Sequence, residues 1–151
     1  MKGDAMGDES THQPKLERKI RVYVAAPWIN KDLAATAQEQ LEAEGFEVTS
    51  HWIKHHSDAV LGNPADFKEL RTQALEDVED IIKSDLFLIM NTGVTSEGKA
   101  TELGLAYALS IPIVLVGPRL INIFYYLGGI EQCDSLEEAI TVIKDGVKEY
   151  L

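Results

Sequence analysis

The chain has 151 residues, enough for one domain with a real core, and its 45% hydrophobic and 26% charged residues are typical of a globular protein. The formal net charge of −11 disfavours binding to long nucleic acids or anionic membranes, because both are polyanions. The single cysteine, Cys133, excludes an intramolecular disulfide framework and a cysteine-based zinc site, and it fits a reducing cytoplasm.

The first half of the chain alternates strand and helix patterns. Residues 1–18 are charged or small and have no apolar stretch, so we predict a flexible tail that is not a signal peptide. Residues 19–151 are predicted to form a single domain. Its first elements are a strand at Ile20–Ala26, a helix at Lys31–Glu44, a strand at Phe46–Trp52, a loop at His55–Pro64 and a helix at Ala65–Ser84. The apolar positions of that second helix, which predict its inward face, are Phe67, Leu70, Ala74, Val78 and Ile81.

The second half continues the alternation. Two continuous apolar runs are typical of strands buried on both faces, and no run is long enough to span a membrane. The predicted elements are a strand at Asp85–Asn91, a helix at Glu97–Leu109, a strand at Ile111–Val116, a short helical or irregular segment at Asn122–Leu127, a strand at Ile130–Cys133 and a helix at Ser135–Tyr150. This alternation predicts a doubly wound α/β fold of the flavodoxin or Rossmann type, with about five parallel strands and helices on both faces. Ligands then bind at the carboxyl ends of the strands.

The turn and helix after the third strand carry the most informative residues. Ser96 is a good N-cap, and Gly98 and Lys99 would present backbone N–H groups to a hydroxyl or phosphate oxygen. Glu102 lies in the same helix and faces the same cleft. From Leu103 to Leu109 the helix has no charge, so we expect it to be largely buried, and a carboxylate there is costly unless it is paired or used. An ordinary ion pair with Lys99 is the alternative.

A partial nucleotide-binding motif overlaps this turn. Residues 93–99 fit G-x-x-x-x-G-K, the start of a P-loop, between a strand and a helix. The next residue is Ala100, however, where the motif needs a hydroxyl for Mg²⁺, and no later strand supplies a metal-binding aspartate. The pattern therefore argues against an NTPase.

Four segments within residues 20–127 resemble the nucleoside 2-deoxyribosyltransferase superfamily, which includes the 2′-deoxynucleoside 5′-monophosphate N-glycosidases. They are the opening strand and turn Val22–Pro27, the acidic triplet Glu76–Val78, the strand start Asp85–Phe87, and the run Ser96–Ala106, in which a glutamate precedes Leu-Gly. The resemblance lies in the combination of the four segments.

This resemblance implies an enzyme that breaks N-glycosidic bonds. Glu102 would be the nucleophile that forms a covalent glycosyl intermediate, Asp77 the acid that assists the leaving base, and Tyr23 the hydroxyl that orients Glu102. Ala26 and Pro27 would approach the sugar. Release of free base makes the protein a hydrolase, and transfer to a second base makes it a transferase. A non-catalytic nucleotide-binding module is a further alternative, although such a module needs no buried nucleophile.

One departure from the family pattern bears on the substrate. In the transferases the position six before the nucleophile is typically an aspartate that meets the sugar 5′-hydroxyl, whereas here it is Ser96. An aspartate would repel a 5′-phosphate, and a serine at a helix N-terminus accepts one. The sequence therefore favours (2′-deoxy)nucleoside 5′-monophosphates as substrates.

Several aromatic and polar residues have weaker indications. His51 matches a substrate-facing polar position of the family, and Trp52 is a candidate either for stacking on the base or for packing in the core or an interface. Asn122 and Phe124 resemble a segment that reaches a neighbouring subunit in the family, which implies a homodimer or higher oligomer. No carboxylate lies at a suitable sequence spacing from His51, His55 and His56, so we expect no metal and no cofactor.

Overall fold

A computed structural model describes residues 18–55 and 58–150 of the chain. The predicted tail lies outside these residues apart from Arg18, whose guanidinium forms a salt bridge with Asp85 (2.6 Å). His56 also lies outside the described residues.

Five parallel strands form one sheet in the order β2-β1-β3-β4-β5, which confirms the predicted flavodoxin-like architecture. The strands are β1 (Arg21–Ala25), β2 (Glu47–Val48), β3 (Leu86–Met90), β4 (Ile113–Val116) and β5 (Ile130–Cys133). All five residues of β3 are buried, as its continuous apolar sequence predicts.

Four α-helices cover the two faces of the sheet. They are α1 (Lys31–Ala43), α2 (Phe67–Lys83), α3 (Glu97–Ala108) and α4 (Leu136–Tyr150). Right-handed crossovers place α2 and α3 together on one face and α1 on the other. The α4 helix lies on the side of α1, because its Lys144 pairs with Glu44 at the end of α1. Among the described residues, no helix combines the length and apolar character that crossing a membrane requires.

The centre of the sheet is built from the pairing of β1 with β3. Tyr23 and Phe87 are register partners, and their rings stack with centroids 5.5 Å apart and planes 5° from parallel. Both side chains are fully buried. Tyr23 therefore has a fixed position at the base of the sheet's carboxyl end.

The second strand is much shorter than the predicted Phe46–Trp52. Its pairing ends soon after Val48 because the Ser50 hydroxyl accepts the hydrogen bond of the Val24 N–H (3.1 Å), which a strand carbonyl would otherwise take. The chain then turns into a 3₁₀ helix at Trp52–Lys54. The sequence does alternate with a period of two. The Ser50 hydroxyl, however, takes the place of a backbone acceptor of the sheet.

The predicted burial of α2 and α3 is wrong in part. On α2, Phe67 and Val78 are exposed, whereas Asp80 is 3% exposed and Asp77 half-buried, so the inward face carries acidic groups. On α3, Leu103 and Ala106 are buried, but Tyr107 is exposed. Apolar periodicity fails here because acidic side chains occupy inward positions of α2, and apolar ones are left on the outer surface.

Gly117, which follows β4, lies very close to Asn91, which follows β3. Its φ of +101° is unfavourable for a residue with a side chain, and a Cβ there would lie 2.1 Å from the backbone oxygen of Asn91. Asn91 in turn is buried and donates from its side-chain amide to the Pro118 carbonyl (2.9 Å). We call the contact between Gly117 and the Asn91 carbonyl the joint. It fixes the ends of β3 and β4 relative to each other at the carboxyl edge of the sheet.

Candidate active site

A cleft of about 450 Å³ opens at the carboxyl ends of the strands, where α/β sheets bind ligands. It is lined by residues of β1, α2, α3 and their loops. They include Ala26, Trp28, Trp52, His55, Asp77, Ser96, Gly98, Lys99 and Glu102. A second cavity of about 390 Å³, with a mainly apolar lining, lies at the amino ends of the strands and contains none of the candidate residues.

Three acidic or hydroxyl groups from three different elements converge beneath the cleft. Tyr23 comes from β1, Asp77 from α2 and Glu102 from α3. The Tyr23 hydroxyl, Asp77 Oδ1 and Glu102 Oε2 are all buried and have no hydrogen-bond partner among the described residues. Buried polar atoms are nearly always paired, so this set is an exception of the kind found in catalytic sites.

The environment of these groups shifts their protonation toward the neutral forms. Burial raises the pKa of Glu102 to about 7; the neighbouring Tyr23 hydroxyl opposes this rise, and the charge of Asp77 adds to it. Burial also raises the pKa of Asp77 to about 6, with His55 acting in the opposite direction. The pKa of Tyr23 is raised by burial and by both carboxylates, so the hydroxyl keeps its proton.

The amino end of α3 forms one wall of the cleft. Ser96 caps the helix by accepting the N–H of Lys99 (3.2 Å), as the sequence predicts. The remaining first-turn N–H groups have no acceptor within the helix. Ser96 uses an oxygen lone pair for the cap, so its hydroxyl proton is free for a ligand.

Lys99 is not the partner of Glu102. Its side chain is 1% exposed, and its ammonium donates to the Val94 carbonyl (3.1 Å). Burial lowers the pKa of Lys99 to about 8. Among the described residues no salt bridge joins Lys99 to Glu102, so the ordinary ion pair that sequence reasoning left open does not form.

Two tryptophans lie in the cleft, and sequence reasoning singled out the less accessible one for stacking. Trp52 is 7% exposed, and its indole N–H donates to the Val24 carbonyl (2.8 Å), so it is part of the wall. Trp28 is 54% exposed and lies 6.0 Å from Trp52 between ring centroids. Lys31 stands over the Trp28 ring at 5.0 Å. The position of Trp28 just after Pro27, in the turn that follows β1, was the available signal.

The remaining predicted site residues lie around the cleft. Ala26 lines it, and Pro27 precedes the 3₁₀ helix Trp28–Asn30 outside the lining. Asn122 caps the 3₁₀ helix Ile123–Tyr126 by accepting the Phe124 N–H (2.9 Å), and it lines an adjoining cavity of about 230 Å³ that Ser96 also lines. Phe124 is 53% exposed and lines neither cavity.

The structure places His55, and not the predicted His51, in the lining of the cleft. His51 lies outside the lining, with its Nδ1 atom 3.0 Å from Asp80 Oδ2, whereas His55 lines the cleft. The chain forms a 3₁₀ helix at Trp52–Lys54 between the two histidines, where the sequence predicts a continuing strand. Sequence reasoning also missed four lining residues, which are Ala59, Leu61, Leu70 and Gln73.

Comparison with known proteins places this geometry in context. The family model described as nucleoside 2-deoxyribosyltransferase matches residues 22–124. Among solved structures, the chain resembles a CMP N-glycosidase, BcmB, of Clostridium botulinum, with 20% identity, a TM-score of 0.53, and coverage of 82% of this chain and 98% of that one. It also resembles a 2-deoxyribosyltransferase of Bacillus psychrosaccharolyticus, with 20% identity, a TM-score of 0.57, and coverage of 79% and 89%. No curated protein sequence matches the chain.

The raised pKa of Glu102 predicts a stability that falls with pH. Ionising this carboxyl costs more in the folded chain than in the unfolded one, so stability is lost as pH rises from about 4.5 to about 7. We expect Glu102→Gln to be more stable than the wild type at pH 8 by up to about 3 kcal/mol. The two should have equal stability near pH 4, where Glu102 is neutral in both states.

Urea unfolding at several pH values measures this difference. Glu39→Gln is the matched control, because Glu39 is exposed on α1, and we expect no comparable gain from it. A Glu102→Gln variant that is no more stable than wild type at pH 8 would contradict the prediction.

Proposed function

The chain belongs to the nucleoside 2-deoxyribosyltransferase family, and on this premise we propose that it cleaves the N-glycosidic bond of (2′-deoxy)nucleoside 5′-monophosphates and releases the free base. It is an enzyme of N-glycosidic bond chemistry, a hydrolase or a transferase. The observation that carries the finer proposal is the convergence of Glu102, Asp77 and Tyr23 under the cleft, each with a buried polar atom that has no partner among the described residues.

In the proposed reaction Glu102 attacks the anomeric carbon as the bond to the base breaks. The bonding electrons leave with the base, and Asp77, in its protonated form, supplies the proton that neutralises it. The Tyr23 hydroxyl donates to the attacking carboxylate and holds its orientation. Water then hydrolyses the glycosyl ester and restores Glu102, so configuration is retained overall.

The pKa shifts keep both carboxyl groups partly protonated near neutral pH, but their order, about 7 for Glu102 and about 6 for Asp77, is the reverse of the two roles, so the proposal requires the proton to lie on Asp77 once substrate is bound. A general acid must hold its proton before it acts, and burial raises the pKa of Asp77 to about 6. The nucleophile must be ionised, and the Tyr23 hydroxyl favours the charged form of Glu102. The negative charge of Glu102 is unfavourable in the buried site of the free enzyme. Formation of the bond to the sugar removes this charge, so the attack is favoured.

The amino end of α3 supports the choice of a 5′-monophosphate. The free hydroxyl proton of Ser96 and the first-turn N–H groups point a partial positive charge at an anion. Ser96 and Gly98 line the same cleft as Glu102. One substrate can therefore place its phosphate at the start of α3 and its anomeric carbon at Glu102. Trp28, exposed in the same cleft, offers an aromatic face for the leaving base.

Base exchange between deoxynucleosides is the alternative reaction. The solved deoxyribosyltransferase with the same fold is consistent with it. The two reactions share the step at Glu102 and differ only in whether water or a second base resolves the ester. A non-catalytic nucleotide-binding module is the second alternative, and it leaves the buried carboxyl groups without a use.

Removing the nucleophile tests the reaction. We expect Glu102→Gln to lower the rate of base release from deoxynucleoside monophosphates by about 1,000-fold or more, because the covalent step has no substitute. Chromatography of the products, with and without a second free base, measures hydrolysis and exchange separately. Glu39→Gln serves again as the control with full activity. Undiminished base release by Glu102→Gln would refute the proposal, and tight nucleotide binding without turnover in the wild type would favour the binding module.

Charge at position 96 tests the phosphate preference. Aspartate caps helices as well as serine does, so Ser96→Asp keeps α3 intact while it adds a negative charge. We expect kcat/KM for monophosphates to fall about 100-fold or more, since like charges about 4 Å apart repel by several kcal/mol. Activity on unphosphorylated nucleosides should fall much less.

The neutral cap Ser96→Asn is the matched control. It should keep most of the monophosphate activity, because asparagine also caps the helix and has an N–H donor. Equal losses on phosphorylated and unphosphorylated substrates in Ser96→Asp would show that the phosphate does not bind at the start of α3.

We also propose that the chain forms a homodimer or a higher oligomer. Large apolar side chains stand exposed on the outer sides of α2 and α3, which is more typical of an interface than of a free surface. They are Leu75, Val78, Ile82, Tyr107 and Leu109. Phe124, also exposed, belongs to the segment that the family resemblance assigns to a subunit contact.

Light scattering on the purified chain in solution measures the assembly directly. We expect a mass at least twice the chain's 16.7 kDa. A mass of one chain at micromolar concentration would contradict the oligomer.

A further inference from the structure

Two histidines and two carboxylates meet beside the cleft, although they are far apart in the sequence. The His51 Nδ1 atom lies 3.0 Å from Asp80 Oδ2 and 4.0 Å from Glu76 Oε1. The His55 Nε2 atom lies 3.3 Å from Glu76 Oε2. We call these four residues the histidine–carboxylate cluster. The sequence predicts no metal site here because the two carboxylates follow the histidines by 21 and 29 residues, and only the fold brings them together.

The frame that carries the cluster is well defined. Glu76 and Asp80 are one turn apart on α2 and so share a face of the helix. His51 and His55 flank the 3₁₀ helix Trp52–Lys54, and Trp52 between them is held by its hydrogen bond to the Val24 carbonyl. Both sides of the cluster therefore belong to ordered, anchored elements.

Asp80 is the residue of the cluster whose burial needs an explanation. Its carboxylate is 4% exposed, and a buried carboxylate requires a compensating positive charge. Within the described residues, no lysine or arginine forms a salt bridge with Asp80 or with Glu76. The backbone N–H of His51 donates to Asp80 Oδ2 (3.2 Å) and fixes the direction of the carboxylate. Hydrogen bonds that orient a ligating carboxylate in this way surround many metal sites.

The donor set and its spacing suit one class of metal ion. One ligand atom from each of His51, Glu76 and Asp80 lies within 4.8 Å of the others. Tetrahedral coordination with bonds of about 2.0–2.2 Å places ligand atoms about 3.3–3.6 Å apart, so small side-chain rotations are enough. Mixed imidazole and carboxylate donors suit Zn²⁺ and its neighbours, whereas Mg²⁺ and Ca²⁺ prefer oxygen donors alone.

We propose that His51, Glu76 and Asp80 bind a divalent transition metal ion of the Zn²⁺ type, with His55 as a fourth donor. The ion supplies the positive charge that the two carboxylates lack and ties the 51–55 segment to α2. It takes no part in the attack by Glu102, although His55 also lines the cleft and lies close enough to affect the pKa of Asp77. The competing explanation is that the imidazoles themselves, when protonated, neutralise the carboxylates.

Metal titration of the purified full chain distinguishes the two explanations. After treatment with a chelator and dialysis, we expect calorimetry to show one Zn²⁺ bound per chain, and Co²⁺ to give the visible absorption of a tetrahedral site. Affinity for Mg²⁺ should be at least about 100-fold weaker. Binding of less than one Zn²⁺ per chain, or equal affinity for Mg²⁺, would overturn the proposal.

Variants at the two exposed ligands locate the site without threatening the fold. His51→Ala and Glu76→Gln should each weaken Zn²⁺ binding at least about tenfold and abolish the rise in melting temperature that Zn²⁺ produces in the wild type. Glu79→Gln, on the exposed side of α2, is the matched control and should bind as wild type does. Unchanged affinity in both ligand variants would place the bound metal elsewhere and refute the site.

Discussion

One oxygen of the Glu102 carboxyl group is buried, and among the described residues no salt bridge joins this group to a cation, which is the constraint on which the arrangement beneath the cleft depends. The Tyr23 hydroxyl favours its ionised form. Tyr23 is itself fixed by the register of β1 against β3 and by stacking on Phe87. Tyr23 thus lies in the apolar centre of the sheet. The close packing there holds its hydroxyl in one position beneath α3.

The same arrangement explains why α2 has acidic residues on its inner side. A helix that only covers a sheet would turn its apolar stripe inward. Here Asp77 faces the cleft, and Asp80 is buried against His51. The apolar residues that would have filled those places are displaced outward, so the local chemistry of the site and the exposed apolar surface of the chain have one origin. Stability is lost to both, which is the usual relation between an active site and its scaffold.

Much of this organisation was predictable from the sequence, and the failures have physical causes. Alternating strands and helices gave the order of the sheet, and the chemistry of Ser96 gave the start of α3, since both depend on local patterns. The strand after Phe46 was overextended because a serine hydroxyl replaced a backbone acceptor. Contacts between residues that are far apart in the sequence could not be predicted. The carboxylates beside His51, the exposure of Trp28 and the separation of Lys99 from Glu102 all depend on tertiary packing.

The joint between Gly117 and the Asn91 carbonyl has a consequence for how this scaffold tolerates change. Because no side chain fits there, the ends of β3 and β4 cannot drift apart or together without rebuilding both turns. Residues 118–127, four of which line the cavity beside the cleft, therefore start from a fixed position at this joint.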